Sequence, residues 1–369
     1  MKSNKSVIWI ISFIFMMVFP TFIYSFLGKY VDSDNHENRN IESKPTLTVE
    51  NYNTFSKDYE AYYNDNLPFR NQLIGINNSI DYYIFRKSTN ENVCIGKDGW
   101  LFYCNNSDGN PVEQSLGFWS FTDSELEIIA DNLLSTKSVL ESRGIEFILF
   151  IAPNKETIYL EELPDYYTIK NQYTATDCLV DYLRENTDIR VIYPKDELLT
   201  YKSRKDDLFL YHKLDTHWNY AGAYIGAWCL AKELGIEMPS LDEISVTPML
   251  SSRGDLTDML NITISNGDVD YKNNGINESG TETVKRDFST EFIYYTPGAD
   301  RRKLIVCRDS FSTAMAPIMA TQFENSLWVH TNQFDQEQIF DYDADVFVLE
   351  VAERYERTLT GFRISNRNE

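Results

Sequence analysis

The chain is 369 residues long, 43% hydrophobic and 24% charged, a composition that excludes a disordered, collagenous or disulfide-knotted protein and leaves room for one large domain or two. It carries 34 Lys and Arg against 56 Asp and Glu, a net charge of −22. No basic patch interrupts that acidic balance, which argues against a nucleic-acid partner.

Lys2 and Lys5 precede an uncharged apolar run from Val7 to Leu27. As a helix this run is about 31 Å long, enough to cross a bilayer's hydrocarbon layer. The positive-inside rule keeps the two lysines cytoplasmic and sends the rest of the chain outside. A cleaved signal peptide is the alternative, but no small-x-small site follows and the run outlasts an ordinary h-region. The reading is therefore a cytoplasmic N-terminus at 1–6, a transmembrane signal anchor at 7–27, a tether at 28–50 and an extracytoplasmic domain at 51–369. Val31 to Lys44 is polar, charged and almost free of large apolar residues, as a tether should be.

From Tyr52 to Arg86 apolar residues recur at helical spacing around Pro68, which predicts two helices with a proline corner. Asp98-Gly99 is a hairpin-type dipeptide leading into a strand at Leu101 to Tyr103. Cys94 and Cys104 flank this turn, and an oxidising compartment would allow a bridge between them. The five cysteines are an odd number and show no CxxC or Cys/His spacing, which argues against a zinc site.

Thr122 and Glu125 have capping-box spacing at the head of a helix that Gly144 closes. Ile145 to Ala152 reads as a strand, Thr176 to Glu185 as a helix, Ile189 to Tyr193 as a strand and Asn219 to Leu234 as a helix. Lys303 to Cys307, Ser326 to His330 and Asp345 to Val351 are further apolar strands. This alternation predicts an α/β fold with a mostly parallel sheet covered by helices on both faces. Asn266 to Thr283 reads as a surface loop. Glu353-Arg354, after the last strand, reads as a solvated pair.

The four histidines are His36, His212, His217 and His330. His217 lies in Asp215-Thr216-His217-Trp218-Asn219. An Asp two positions before a His can hold its Nδ1–H and leave Nε2 free as a general base. Two other readings stay open: Asp215 caps the following helix, or His212, Asp215 and His217 hold a metal, although their spacing matches no metal motif. Ser310 lies where a strand ends at Cys307 and a helix-prone stretch begins. In open α/β sheets the reactive crevice lies beyond the carboxyl ends of the strands, and a helix N-terminus there favours an oxyanion. An N-cap role explains the serine as well.

With GKDGWLFY at Gly96 to Tyr103, DTHWN at Asp215 to Asn219 and RDSF at Arg308 to Phe311, the chain resembles the SGNH-hydrolase-like acyltransferases of the AlgX/AlgJ-like (DHHW) group, related to alginate O-acetylation. The resemblance runs from about Tyr52 to Arg357. It implies a three-layer α/β/α SGNH-like fold with Ser310 as nucleophile, His217 as base and Asp215 as its orienter. Gly254, in a segment resembling the family's GDL, and Asn154 become oxyanion candidates. Lys155, Tyr159, Trp218 and Arg308 become candidates for lining the cleft, Arg308 standing where the family often has a small residue. Trp100 and Trp218 fit either sugar stacking or core.

The expected function is a membrane-anchored O-acyltransferase, with no cofactor or metal, that moves an acetyl group onto an exopolysaccharide or other cell-envelope glycan. The resemblance implies a polytopic membrane-bound O-acyltransferase as partner and acyl donor. An esterase using the same triad and a non-catalytic glycan-binding scaffold are the competing readings.

Overall fold

The computed structural model describes residues 3–30, 42–204, 207–274 and 280–365. Residues 31–41 of the tether, His36 among them, lie outside these. The chain forms two compact units, Met1–Asn90 with Thr257–Thr263, and Glu91–Leu256 with Ile264–Glu369.

In the first unit, α1 (Ser3–Leu27) is long and apolar enough to span a membrane. Two helices, α2 (Phe55–Asp65) and α3 (Arg70–Ile80), flank the Leu67-Pro68 corner, and Phe69 takes a left-handed conformation to make the turn.

The second unit opens with the hairpin β1 (Val93–Ile95) and β2 (Leu101–Tyr103), turned by Asp98 and Gly99, both at positive φ. The pairing sets Cys94 opposite Phe102, and the amide of Cys104 bonds the carbonyl of Asn92. The two cysteines are thus diagonal neighbours, a pairing that spans roughly 7–8 Å between strands and exceeds disulfide reach. All five cysteines are thiols. The bridge allowed by the sequence is absent.

A buried helix α4 (Pro111–Ser115) precedes α5 (Asp123–Glu141), whose capping box forms as expected. Then come β3 (Glu146–Ala152), the short α6 (Lys155–Ile158), α7 (Ala175–Asn186), β4 (Arg190–Ile192), α8 (Lys195–Arg204) and α9 (Tyr220–Glu233). Beyond these, β5 (Val246–Ser251) pairs with β6 (Asp268–Asn273), with α10 (Asp255–Leu260) between them. The expected loop at 266–283 is therefore a strand in part. Its acidic alternation, Asp268-Val269-Asp270-Tyr271, hides a strand whose carboxylates are put to use below. β7 (Glu282–Arg286), β8 (Glu291–Tyr295), β9 (Asp300–Arg308), α11 (Ser312–Ala320), β10 (Phe323–His330), α12 (Glu337–Asp341) and β11 (Val346–Ala352) complete the unit.

Seven strands form one sheet in the order β4-β3-β11-β9-β10-β8-β7. The first five are parallel, and β8 and β7 extend the edge antiparallel. Alternation along β9 sends Leu304 and Val306 to one face, with α9 and α11, and Ile305 and Cys307 to the other, with α5 and α7. The result is the three-layer α/β/α arrangement expected. The carboxyl ends of β3, β9, β10 and β11 share one edge of the sheet, so the turns after Ala152, Arg308 and Ala352 are brought together.

Candidate active site

Ser310 follows β9 by two residues. The turn that presents it is held by two acids: Asp309 accepts hydrogen bonds from the amides of Phe311 (2.9 Å) and Ala352 (2.6 Å), and Glu350 on β11 accepts from the Asp309 amide (2.8 Å) and the Ser312 hydroxyl (2.9 Å). Burial pushes the Glu350 carboxyl well above its usual range, and the Asp309 charge adds to the shift. Helix α11 begins at Ser312, its N-cap position is Phe311, and no side chain caps it. The Ser310 hydroxyl is therefore not a cap.

His217 is carried on a loop pinched by the Tyr211–Trp218 bridge. Inside that loop the buried Lys155 ammonium donates to the carbonyls of Asp215 (2.6 Å) and His212 (3.2 Å). Asp268 accepts from the amides of Lys213 (2.9 Å) and Leu214 (3.2 Å). The helix cap after the loop is Asn219, whose side chain takes the amides of Ala221 and Gly222, so Asp215 is left for His217.

The His217 imidazole lies between the two other groups: Nε2 is 2.7 Å from Ser310 Oγ and Nδ1 is 2.6 Å from Asp215 Oδ1. Asp215 Oδ1 also takes the His217 amide (3.0 Å), and its Oδ2 takes the Asp255 amide (2.9 Å). Burial alone would raise the Asp215 carboxyl, but its hydrogen bond to His217 and the imidazole charge hold it well below the carboxylate range. Asp255 is pushed up by burial and by the charge of Asp215. It accepts from the Thr216 amide (2.8 Å) and hydroxyl (2.5 Å). Asp215, His217 and Asp255 offer ligand atoms within 4.8 Å of one another, but every carboxylate oxygen there already accepts an N–H or O–H, the pattern of a braced hydrogen-bond network. His212 faces Asp268 instead.

These groups open onto a cleft of about 410 Å³ lined by Ser310, His217, His212, Trp218, Tyr220, Asp270 and Arg286 among others. Other sequence candidates lie elsewhere. Lys155 is fully buried beneath the loop and Tyr159 is 4% exposed, stacked on Trp100 and accepting the Leu210 amide, so neither lines the cleft. Arg308 is also buried, 4.0 Å over the Phe292 ring and donating to the Phe288 carbonyl (3.0 Å), so it too is core. Trp100 is core, and Trp218 is a buried floor residue. Asn154 is buried, gives one side-chain N–H to Gln114 (3.0 Å) and does not line the cleft. Gly254 packs against the Leu214 carbonyl and the Asp215 side chain, on the acid's side of the chain of three. Glu353 and Arg354 are buried, not solvated: Glu353 takes the Asn154 amide, the hydroxyls of Thr157 and Thr176, and Tyr193.

Residues 93–291 match the family described as the SGNH hydrolase-like domain of the acetyltransferase AlgX. The chain belongs to that family. Among curated relatives, the probable alginate O-acetylase AlgJ of Pseudomonas aeruginosa is 26% identical over 183 residues, 49% of this chain and 41% of AlgJ. Its counterpart from Pseudomonas syringae pv. tomato is 25% identical over 236 residues, 60% of this chain and 54% of that one. The chain spans about half the length of the curated relatives it matches. Among solved structures, Bacillus cereus PatB1 with a sulfonyl adduct superposes with a TM-score of 0.54 at 15% identity, covering 74% of this chain and all of that one. A DHHW family protein from Eubacterium siraeum gives 0.51 at 14% identity, covering 74% and 99%. These likenesses establish the fold of this AlgX-family chain.

Proposed function

We propose that this AlgX-family chain is a membrane-anchored, extracytoplasmic O-acyltransferase that moves an acetyl group onto a hydroxyl of an exopolysaccharide or other cell-envelope glycan. The observation that carries the reading is the unbroken run of short contacts from Ser310 through His217 to Asp215, open to a cleft of sugar size. The alginate O-acetylase naming of the AlgJ relatives supports the acetyl group and the polysaccharide acceptor. The apolar helix α1 behind Lys2 and Lys5 supports the anchor and, through the positive-inside rule, an extracytoplasmic side for residues 51–369.

In this mechanism Ser310 Oγ attacks the acyl carbonyl carbon while its proton passes to His217 Nε2, and the carbonyl electrons move onto oxygen. Asp215, kept ionised, steadies the imidazolium through Nδ1. Collapse restores the carbonyl, breaks the bond to the donor's leaving group and returns the proton from His217 to that group. A sugar hydroxyl then gives its proton to His217 as it attacks the acyl carbon, and collapse breaks the ester bond to Ser310, whose Oγ takes that proton back from His217. The Ser310 amide, which has no acceptor among the described residues, supplies one oxyanion donor. The family resemblance and the apolar helix α1 support a polytopic membrane-bound O-acyltransferase, bringing acyl groups through the bilayer, as the partner.

The test offers a chromogenic acetyl ester with and without a glycan acceptor. Acetyl appearing on the glycan, and lost in Ser310→Ala, is the expected result. Acetate release that ignores every acceptor would make the chain an esterase, and normal acetylation by Ser310→Ala would remove the serine from the mechanism.

A further inference from the structure

An oxyanion needs more than one donor, and neither oxyanion candidate from the sequence supplies a second. Asn154 is buried away from the cleft with one N–H on Gln114, and Gly254 sits against Asp215. The strand beside β9 ends in a different kind of group. Two residues past β11 stands Arg354, 7% exposed, with its Nε buried and without a hydrogen-bond partner. Among the described residues its guanidinium makes no hydrogen bond and no ion pair; three rings lie around it, and the buried Glu156 carboxylate acts on it only through space.

Those rings are Phe311 at 5.2 Å, Tyr355 at 5.6 Å and Tyr103 at 5.8 Å from the guanidinium carbon. The two tyrosine hydroxyls are both occupied by Asp108, at 3.0 and 3.1 Å. Phe311 is the residue next to Ser310, and its ring is also 5.1 Å from the His217 imidazole. One ring therefore touches both the base and an unpaired buried cation. Leaving the Arg354 Nε out of water without an acceptor is costly. A guanidinium with an unused buried N–H is poised to take an anion that forms beside it.

We propose that Arg354 is a catalytic residue of this site, whose guanidinium hydrogen-bonds the oxyanion that develops on the acyl carbonyl when Ser310 attacks, as second donor beside the Ser310 amide. The inference rests on Ser310 being the nucleophile. A planar, always-charged fork suits that task because it offers two N–H groups without reorganising as charge develops.

The full chain in detergent, acylated by 4-nitrophenyl acetate, tests this in two ways. Arg354→Ala is expected to slow the burst of Ser310 acylation by about 10²–10³-fold, and added guanidinium ion at non-denaturing concentration is expected to restore a measurable part of the rate. A folded Arg354→Ala or Arg354→Met that acylates as fast as the unaltered chain, or a loss that guanidinium leaves untouched, would overturn the proposal. The second measurement needs no variant: in a structure of the chain phosphonylated on Ser310, a phosphonyl oxygen is expected at about 2.7–3.1 Å from an Arg354 nitrogen, and an adduct whose oxygens all turn to other groups overturns it. Ser310→Ala runs alongside. Undiminished acylation in that variant defeats the serine reading itself, whereas an inert Ser310→Ala beside a fully active Arg354→Ala defeats only the arginine.

Discussion

Trp218 donates its indole N–H to the carbonyl of Phe311 at 2.9 Å, so the residue after the histidine holds the residue after the serine. The two catalytic candidates come from segments far apart in sequence, and this bond between their neighbours fixes one against the other. The indole also packs on Phe311 at 5.3 Å and Phe150 at 6.4 Å.

Trp218→Phe keeps most of the packing and removes the bond. The unpaired Phe311 carbonyl should cost about 1–3 kcal/mol of stability, read as a lower thermal midpoint. A small displacement of reacting groups can cost up to about 100-fold in rate, so kcat should fall by roughly 10–100-fold while KM changes little. An unchanged kcat would show that this bond does not align the pair.

Gly254 is required by space. A β-carbon there would lie 2.5 Å from the Leu214 carbonyl oxygen and 2.7 Å from Asp215 Cβ. That loop cannot retreat freely, because the Leu214 carbonyl accepts the Leu256 amide and the Lys155 ammonium holds the Asp215 carbonyl. Gly254→Ala should therefore move Asp215 off His217 Nδ1 and lower kcat by about 10–100-fold. Its effect should largely vanish in an Asp215→Ala background, and a full additive loss there would contradict this account.

The second histidine of the loop gives a pH signature separate from catalysis. His212 Nδ1 lies 3.3 Å from Asp268. Burial pulls the His212 pKa down, but the hydrogen bond and charge of Asp268, with Asp215 and Asp270, carry it above its ordinary value. Asp268 is lowered: burial opposes, and His212 with the amides of Lys213 and Leu214 prevails. A raised histidine stabilises fully below its unfolded pKa of about 6.5 and loses that contribution as pH rises through the folded value. A lowered aspartate stabilises fully above about 3.9 and loses its share as pH falls. The pair should thus stabilise most between roughly pH 4 and 6.5. Thermal unfolding should show the difference between the unaltered chain and His212→Gln shrinking from pH 6 to pH 9. A difference constant over that range would mean that the pair does not titrate with folding.

Periodicity made the parallel strands and their helices legible, since Ile145 to Ala152 and Asp345 to Val351 are short apolar runs between turn signals. Asp215, His217 and Ser310 were legible because their types and order belong to one chemistry. Burial of polar residues was not legible. Lys155, Arg308, Glu353 and Arg354 look like surface residues by composition, yet the carbonyls of the His217 loop, the Phe292 ring and the hydroxyls of Thr157 and Thr176 draw them inside. Glu350 was hidden within an apolar strand, and its partners, the Asp309 amide and the Ser312 hydroxyl, are visible only once β9 and β11 lie side by side. Asp255 follows Gly254 directly, and a second acid beside a GDL-like glycine was the signal available for it.

The central claim is that a covalent acyl group forms on one particular hydroxyl. Peptide mapping by mass spectrometry of the full chain, quenched with acid during turnover of an acetyl ester, tests it directly. A single acetyl on the peptide bearing Ser310, greatly reduced in His217→Ala, is the predicted result. An unmodified Ser310 peptide throughout turnover, or the same acetyl found elsewhere in Ser310→Ala at full rate, would contradict it.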